Sequence, residues 1–136
     1  ILGNPNPWST LYDPSRITPK AVVEHVKTAV KISQEFGKWI TGGEKGAAKE
    51  IAKGEGAVLR SGLKKVAVYR DEAGKLHCHS AVCPHMGCIV AWNTGEKSWD
   101  CPCHGSRFTA EGCIISGPTL KDLPKADDEV ESDVSR

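Results

Sequence analysis

Two short stretches of this 136-residue chain carry side chains able to grip soft metal ions. The first reads Cys83-Pro84-His85-Met86-Gly87-Cys88, and the second Cys101-Pro102-Cys103-His104-Gly105-Ser106-Arg107-Phe108. Together they hold four of the six cysteines and two of the five histidines. Each supplies a Cys and a His at short spacing, Cys-x-His and then Cys-x-x-His, with one further cysteine apiece. Thiolates and imidazoles suit zinc or iron. Structural zinc usually takes clustered pairs, Cys with Cys and His with His; here the two types alternate. A plain disulfide framework is a third reading, but it leaves the matched histidines unexplained.

The two stretches resemble the two-box signature of the Rieske iron–sulfur family. The resemblance covers residues 48–120 and implies an antiparallel β-sandwich with a cluster-binding subdomain. It implies that Cys83, His85, Cys101 and His104 hold a 2Fe-2S cluster, and that Cys88 and Cys103 form a disulfide. Ser106 resembles the family serine whose hydroxyl donates to a bridging sulfide. Gly87 and Gly105 permit positive φ or close backbone approach to the sulfurs, and Met86 reads as an apolar lid.

The donor set has a chemical logic. In such a centre two cysteines bind one iron and two histidines the other. Two ferric ions bring six positive charges, which two sulfides and two thiolates cancel. The oxidised centre is neutral, so adding an electron is easier than in a four-cysteine cluster, and the potential rises. Each imidazole uses one nitrogen for iron and leaves the other free to exchange a proton.

The rest of the chain must position these loops. Length and composition are those of one ordinary globular domain, with a mean hydropathy of −0.35 and a formal net charge of +1. No nucleic-acid or membrane partner is implied. No apolar run approaches the ~20 residues that cross a bilayer, and no secretory signal is visible. The expected location is cytoplasmic. Positive charge is concentrated before residue 76, whereas the last fifteen residues are acidic.

Residues 1–47 read as a connector and an amphipathic helix. Pro5, Pro7 and Pro14 keep residues 1–17 irregular. Thr18 can cap a helix, and Pro19 suits its first position. Val22, Val26, Ala29, Val30, Phe36 and Ile40 then recur on one face, until Thr41-Gly42-Gly43 ends it. Strands are expected at 57–60, 66–70, 76–82, 89–92, 98–100 and 113–115, with a turn at Asp71-Glu72-Ala73-Gly74 and another at Asn93-Thr94-Gly95. Val66 and Val68 should face one side of their strand, Lys65 and Ala67 the other. The boxes become loops at hairpin ends. Trp92 and Trp99 are expected to pack the hairpin between them. Cys78 and Cys113 are expected as buried thiols, and His77 and His79 as solvated strand residues. Residues 121–136 read as an acidic, flexible tail.

A narrower resemblance adds a functional setting. Asn6-Pro7-Trp8, Leu11-Tyr12-Asp13-Pro14-Ser15-Arg16, and Ala91-Trp92-Asn93 through Trp99-Asp100 into the second box look like one subgroup. Its members join an FAD-dependent amine or amino-acid oxidoreductase domain to a C-terminal Rieske domain. The chain starts at Ile1 and its one methionine is Met86, so a piece of such a protein is expected. The expected function is electron transfer, with no substrate site of its own. FAD belongs to an upstream domain, and the partner is that flavin domain or another redox protein. The alternative is a free-standing Rieske ferredoxin or reductase small subunit. A zinc-held interaction module is a more distant one.

Overall fold

The structure is a computed structural model and describes residues 6–13, 15, 17–41, 48–128 and 132–133. It divides into two compact units, Ile1–Ser33 and Gln34–Arg136. Pro5, Pro14, Arg16, Gly42 and Gly43, which enter the expectations above, lie outside the described residues.

Helices come first. Where an irregular connector was expected, one short turn of helix (α1, Ser9–Tyr12) forms. The long helix α2 spans Pro19–Thr41. Its start is set as the sequence suggests: Thr18 Oγ1 accepts the Ala21 N–H at 3.1 Å, satisfying an amide with no partner inside the helix. Lys27 pairs with Glu24 one turn away at 2.9 Å. In the first unit Val22, Val26 and Val30 form an exposed apolar stripe.

The second unit is mainly antiparallel β-structure, as expected. After a 3-10 turn at Ala48–Glu50 come β1 (Glu55–Ser61), β2 (Lys64–Arg70) and β3 (Leu76–Ser80), a sheet in chain order. Then β4 (Ala91–Asn93), β5 (Ser98–Asp100), β6 (Arg107–Thr109) and β7 (Ile114–Ser116) form a second sheet, also in chain order. The β2–β3 turn is the expected one: Gly74 N–H bonds Asp71 O at 2.9 Å, and Gly74 sits at φ +91°, where a side chain would be strained. At the β4–β5 turn, Asn93 Oδ1 accepts the N–H groups of Gly95 and Glu96.

Strand β2 is buried on both faces, and its alternation sorts the core. Ala67 joins a cluster with Trp99, Phe108, Ile89, Leu123 and the cysteines 83, 88 and 101. Val66 and Val68 join a second cluster with Ala48, Ile51, Leu59 and Cys78. Trp99 and Phe108 are wholly buried and face each other across β5 and β6; aromatic anchors of this kind stabilise a core by on the order of 3–5 kcal/mol each. Trp92 meets Trp99 edge-on at 4.9 Å and stacks on Tyr69 at 5.4 Å, which links the two sheets. Gly56 on β1 makes that approach possible, because a Cβ there would meet the Trp92 ring at 2.7 Å. Beside it, Glu55 accepts from Trp92 Nε1 at 2.8 Å and Thr94 Oγ1 at 3.0 Å, and pairs with Lys97. Lys97 first, then Trp92, holds that carboxyl down to about 2.

Several expectations need correction. Strand β6 was not foreseen, because the short Arg107-Phe108-Thr109 run lies inside the second box's own signature. Ile89 and Val90 precede β4 and join the sheet region through the isolated bridge Val82↔Ile89 and the Val90 N–H bond to Ala81 O at 2.9 Å. Residues 121–126 were placed in the tail on composition, yet they pack. Pro124 O accepts the Ser80 N–H at 2.8 Å, Ala126 N–H bonds Cys78 O, and Leu123 is buried. This return segment covers the free edge of β3, which otherwise exposes unpaired backbone groups. Cys113 is exposed rather than buried, whereas Cys78 is buried as expected. Lys65 is only 2% exposed, because its neighbours on β2 are covered on both faces.

The strand histidines also differ from the solvated pair expected. His77 is half-buried, with Nε2 3.0 Å from Asp71 Oδ2. His79 is 7% exposed, packs on Gly112, and its Nδ1 finds no partner among the described residues. Burial, then the positive neighbours His77 and Lys125, push its pKa below 6.5; Glu111 and Asp122 oppose this. An unfolded chain therefore takes up a proton near pH 6.5 that the folded protein refuses, so this residue makes stability fall as pH drops through that value. Thermal unfolding followed between pH 7.5 and 5.5 should show a smaller loss in His79→Gln than in the unmodified protein. Equal pH dependence in the two would remove His79 from the account.

Candidate metal centre

The two boxes fold as the same loop twice. Loop one runs from Cys83 to Cys88, and its flanks meet as Val82↔Ile89. Loop two runs from Cys101 to Ser106, and its flanks meet as Asp100↔Arg107. In loop one, Gly87 N–H bonds Cys83 O at 2.9 Å and Cys83 N–H bonds Cys88 O at 2.8 Å. In loop two, Gly105 N–H bonds Cys101 O at 3.0 Å and Cys101 N–H bonds Ser106 O at 2.8 Å. Both glycines sit at φ +77°, which a side chain rarely tolerates. The repeat is legible in the sequence as Cys-Pro-x-x-Gly, present in both boxes. The loops differ in one way: His85 is the third residue of loop one, whereas His104 is the fourth of loop two and Cys103 the third.

That offset lets Cys103 reach across. Cys88 and Cys103 form a disulfide with a Cα–Cα distance of 6.5 Å, inside the usual span. The sulfurs of Cys88, Cys101 and Cys103 lie within 4.8 Å of one another. Two of those three are spent in the disulfide, so the bridge is a wall of the site and Cys101 is the available thiol.

The predicted ligand residues fall into two close pairs, one of thiols and one of imidazoles. The Cys83 and Cys101 thiols are buried neighbours, 1% and 4% exposed. Burial pushes the Cys101 thiol up, against the backbone N–H groups of Cys103 and His104, which donate to its sulfur and favour the thiolate. The His85 and His104 rings stand edge to face at 4.9 Å, both exposed. The centre thus has a dry sulfur end and a wet imidazole end. Met86, expected as an apolar lid, is 59% exposed and does not seal the tip.

The supporting residues follow the same division. Ser106 is fully buried, and its Oγ accepts the Thr119 N–H at 3.3 Å, which leaves the hydroxyl proton for another acceptor. Thr119 was not foreseen, and nothing in its sequence context after Pro118 signals the contact. At the base of loop two, Asp100 binds Ser98 Oγ at 2.9 Å, Asn93 Nδ2 at 2.8 Å and Arg107 Nε at 3.2 Å. Arg107 also pairs with Glu96. Two soft sulfurs on one side, two nitrogens on the other, and backbone N–H groups aimed at sulfur suit an iron–sulfur centre with mixed ligation.

Comparison with known proteins agrees. The family model described as the Rieske [2Fe-2S] domain matches residues 44–127. A protein of Bacillus subtilis (strain 168), named as a Rieske 2Fe-2S iron-sulfur protein, YhfW, is 35% identical over 126 residues, covering 90% of this chain. The cytochrome b6-f complex iron-sulfur subunit of Synechococcus sp. (strain JA-2-3B'a(2-13)) is 46% identical over 54 residues, 40% of this chain. The chain spans 24% of the first relative and 31% of the second. Among solved structures, the cyanobacterial plasma membrane Rieske protein PetC3 from Synechocystis PCC 6803 overlaps 52% of this chain and 72% of its own, at 31% identity and a TM-score of 0.47.

The bridge between the loops should matter most for holding the centre. A disulfide closing 15 residues is worth on the order of 3 kcal/mol on a chain-entropy account. Cys88→Ser should release bound iron at a lower temperature than the unmodified protein, while the far-ultraviolet dichroism of the strands persists. Iron loss at the same temperature in both would leave the bridge without a role in retention.

Proposed function

Because the chain belongs to the Rieske [2Fe-2S] domain family, whose work is electron transfer, we propose that it holds its cluster through Cys83 and Cys101 at the buried end and His85 and His104 at the exposed end. When bound, a centre of this kind accepts and returns one electron. The single observation that carries the assignment is that two loops with the same backbone hydrogen bonds each present one of two neighbouring thiols and one of two neighbouring imidazoles. The buried cysteines keep water from the sulfur end. The exposed imidazoles meet the redox partner and can give up or take a proton from their second ring nitrogen. Ser106 keeps a hydroxyl proton to donate toward sulfur.

Two settings suit such a domain. The reading we favour is a free-standing Rieske carrier or small subunit, serving another redox protein or complex. The relatives reported above are named as Rieske proteins and as an iron–sulfur subunit, and those names contain no flavin. The second reading is the C-terminal part of an FAD-dependent oxidoreductase. It is supported by the match to YhfW, which runs over 126 residues, well beyond the 44–127 core, and fills only 24% of that relative. No helix among the described residues is long and apolar enough to cross a membrane. Isolating the native polypeptide and measuring its mass and bound flavin separates the two: a flavin-free carrier supports the first, a larger flavoprotein the second.

The ligand assignment has its own test. Anaerobically purified protein should contain two irons and two acid-labile sulfides per chain, with a Rieske-type electron-spin resonance signal after dithionite reduction. Replacing His85 or His104 with Ala should abolish that signal, and replacing His77 should leave it. Zinc without sulfide in the unmodified protein would overturn the proposal.

Phe108 should set the potential. In high-potential respiratory members the residue two after the second-box serine is a tyrosine whose hydroxyl donates to a ligand sulfur. Here it is Phe108, fully buried against Trp99 and in the same core cluster as Cys83 and Cys101. A donor to sulfur stabilises the more negative reduced state. Voltammetry at one pH should place Phe108→Tyr above the unmodified protein by tens of millivolts, where about 30 mV in a one-electron couple is roughly 0.7 kcal/mol. Ser106→Ala should lie below it. No rise on adding the tyrosine would exclude Phe108 as the determinant.

A further inference from the structure

Loop one has a tie at its glycine carbonyl that loop two lacks among the described residues. The indole Nε1–H of Trp39 donates to the carbonyl of Gly87 at 2.8 Å, across 48 residues of sequence. Trp39 stands near the end of α2, in the second unit. That end is fastened again where Arg60 Nη1 reaches the Ile40 carbonyl at 3.4 Å. At the matching position of loop two, no donor reaches Gly105 O among the described residues, and nothing lies within 4 Å of where its Cβ would stand.

The carbonyl that Trp39 holds belongs to the Gly87–Cys88 peptide. A trans peptide points its C=O and N–H in opposite directions. With the oxygen turned out to Trp39, the Cys88 N–H turns the other way, from a residue only 1% exposed whose sulfur lies against that of Cys101. This N–H finds no oxygen acceptor among the described residues, although buried N–H groups are nearly always paired. A hydrogen bond to the carbonyl also polarises the peptide and strengthens its N–H as a donor. The Cys101 sulfur already receives two backbone N–H groups of loop two. Loop one has a peptide of its own beside that sulfur, held at its carbonyl by Trp39.

We propose that Trp39 is a positioning residue of the metal centre: its indole holds the Gly87–Cys88 peptide with the N–H turned toward the sulfur end, and so raises the midpoint potential. The end of α2 is thereby a lever on the centre's redox state. This rests on the ligand assignment proposed above, which metal and sulfide analysis of the unmodified protein tests independently.

The experiment compares unmodified holoprotein, Trp39→Phe, and a protein with β-(3-benzothienyl)alanine at position 39. The last keeps the shape of the indole and replaces its N–H with sulfur. Iron and sulfide content, midpoint potential at one pH, and the g-values of the reduced protein are measured on each. Both substitutions should keep two irons and two sulfides, shift the g-values and lower the potential. The expected fall is a roughly two- to tenfold weaker reduction equilibrium, tenfold being about 59 mV for one electron. An unchanged potential in the benzothienyl protein would overturn the proposal, whatever Trp39→Phe does. So would loss of the cluster from that shape-preserving protein, since the bond would then serve retention rather than potential.

Discussion

Two thiols and two imidazoles are brought into neighbouring pairs in this protein because two loops close on themselves in the same way. A short loop that must present a thiol at its base and an imidazole at its tip has few backbone solutions. The one used here bonds the glycine N–H to the cysteine carbonyl and reverses the chain at φ +77°. Each loop spans a matched pair of flanking residues, Val82 with Ile89 and Asp100 with Arg107. The sheets carry those flanks, and the aromatic contact of Tyr69, Trp92 and Trp99 fixes one sheet against the other. A shift of register in β5 or β6 would carry loop two away from loop one, because side chains change face with every residue. The disulfide then joins loops already close to alignment.

Burial sorts the chemistry of the site. Cys83, Cys101, Ser106 and Phe108 are covered, while His85, Met86 and His104 are not. Charge placed near sulfur is therefore felt in a poorly screened medium, where each donor counts for more than it would in water. The imidazole end answers to solvent and to whatever touches it. Potential and recognition are in this way assigned to opposite ends of one small constellation.

Much of this was legible in the sequence, for identifiable reasons. The family could be read because Cys and His at fixed spacing have few other uses. The cap at Thr18, the turn at Gly74 and the alternation along β2 could be read because each depends on local geometry. The buried face of Lys65 and the enclosure of His79 could not, since both depend on what the return segment and the second sheet bring against them. The same holds for residues 121–126: their polar composition suggested a tail, but backbone pairing with β3 does not require apolar side chains. Thr119 and Trp39 reach the site by long-range bonds that no local pattern announces.

The exposed ring pair has a consequence for the lifetime of any encounter. Two imidazoles at right angles, 4.9 Å apart, make a contact point no larger than a few side chains. With the imidazoles holding the cluster as proposed, an electron would pass as soon as that point is touched, with no need for a broad complementary surface. Electron-transfer encounters of this kind sit at the small end of protein interfaces, below about 1,200 Å². Little area means little to undo, and differences between complexes are felt mostly in how fast they part. A tip built this way favours visits that are brief and frequent over partnerships that last.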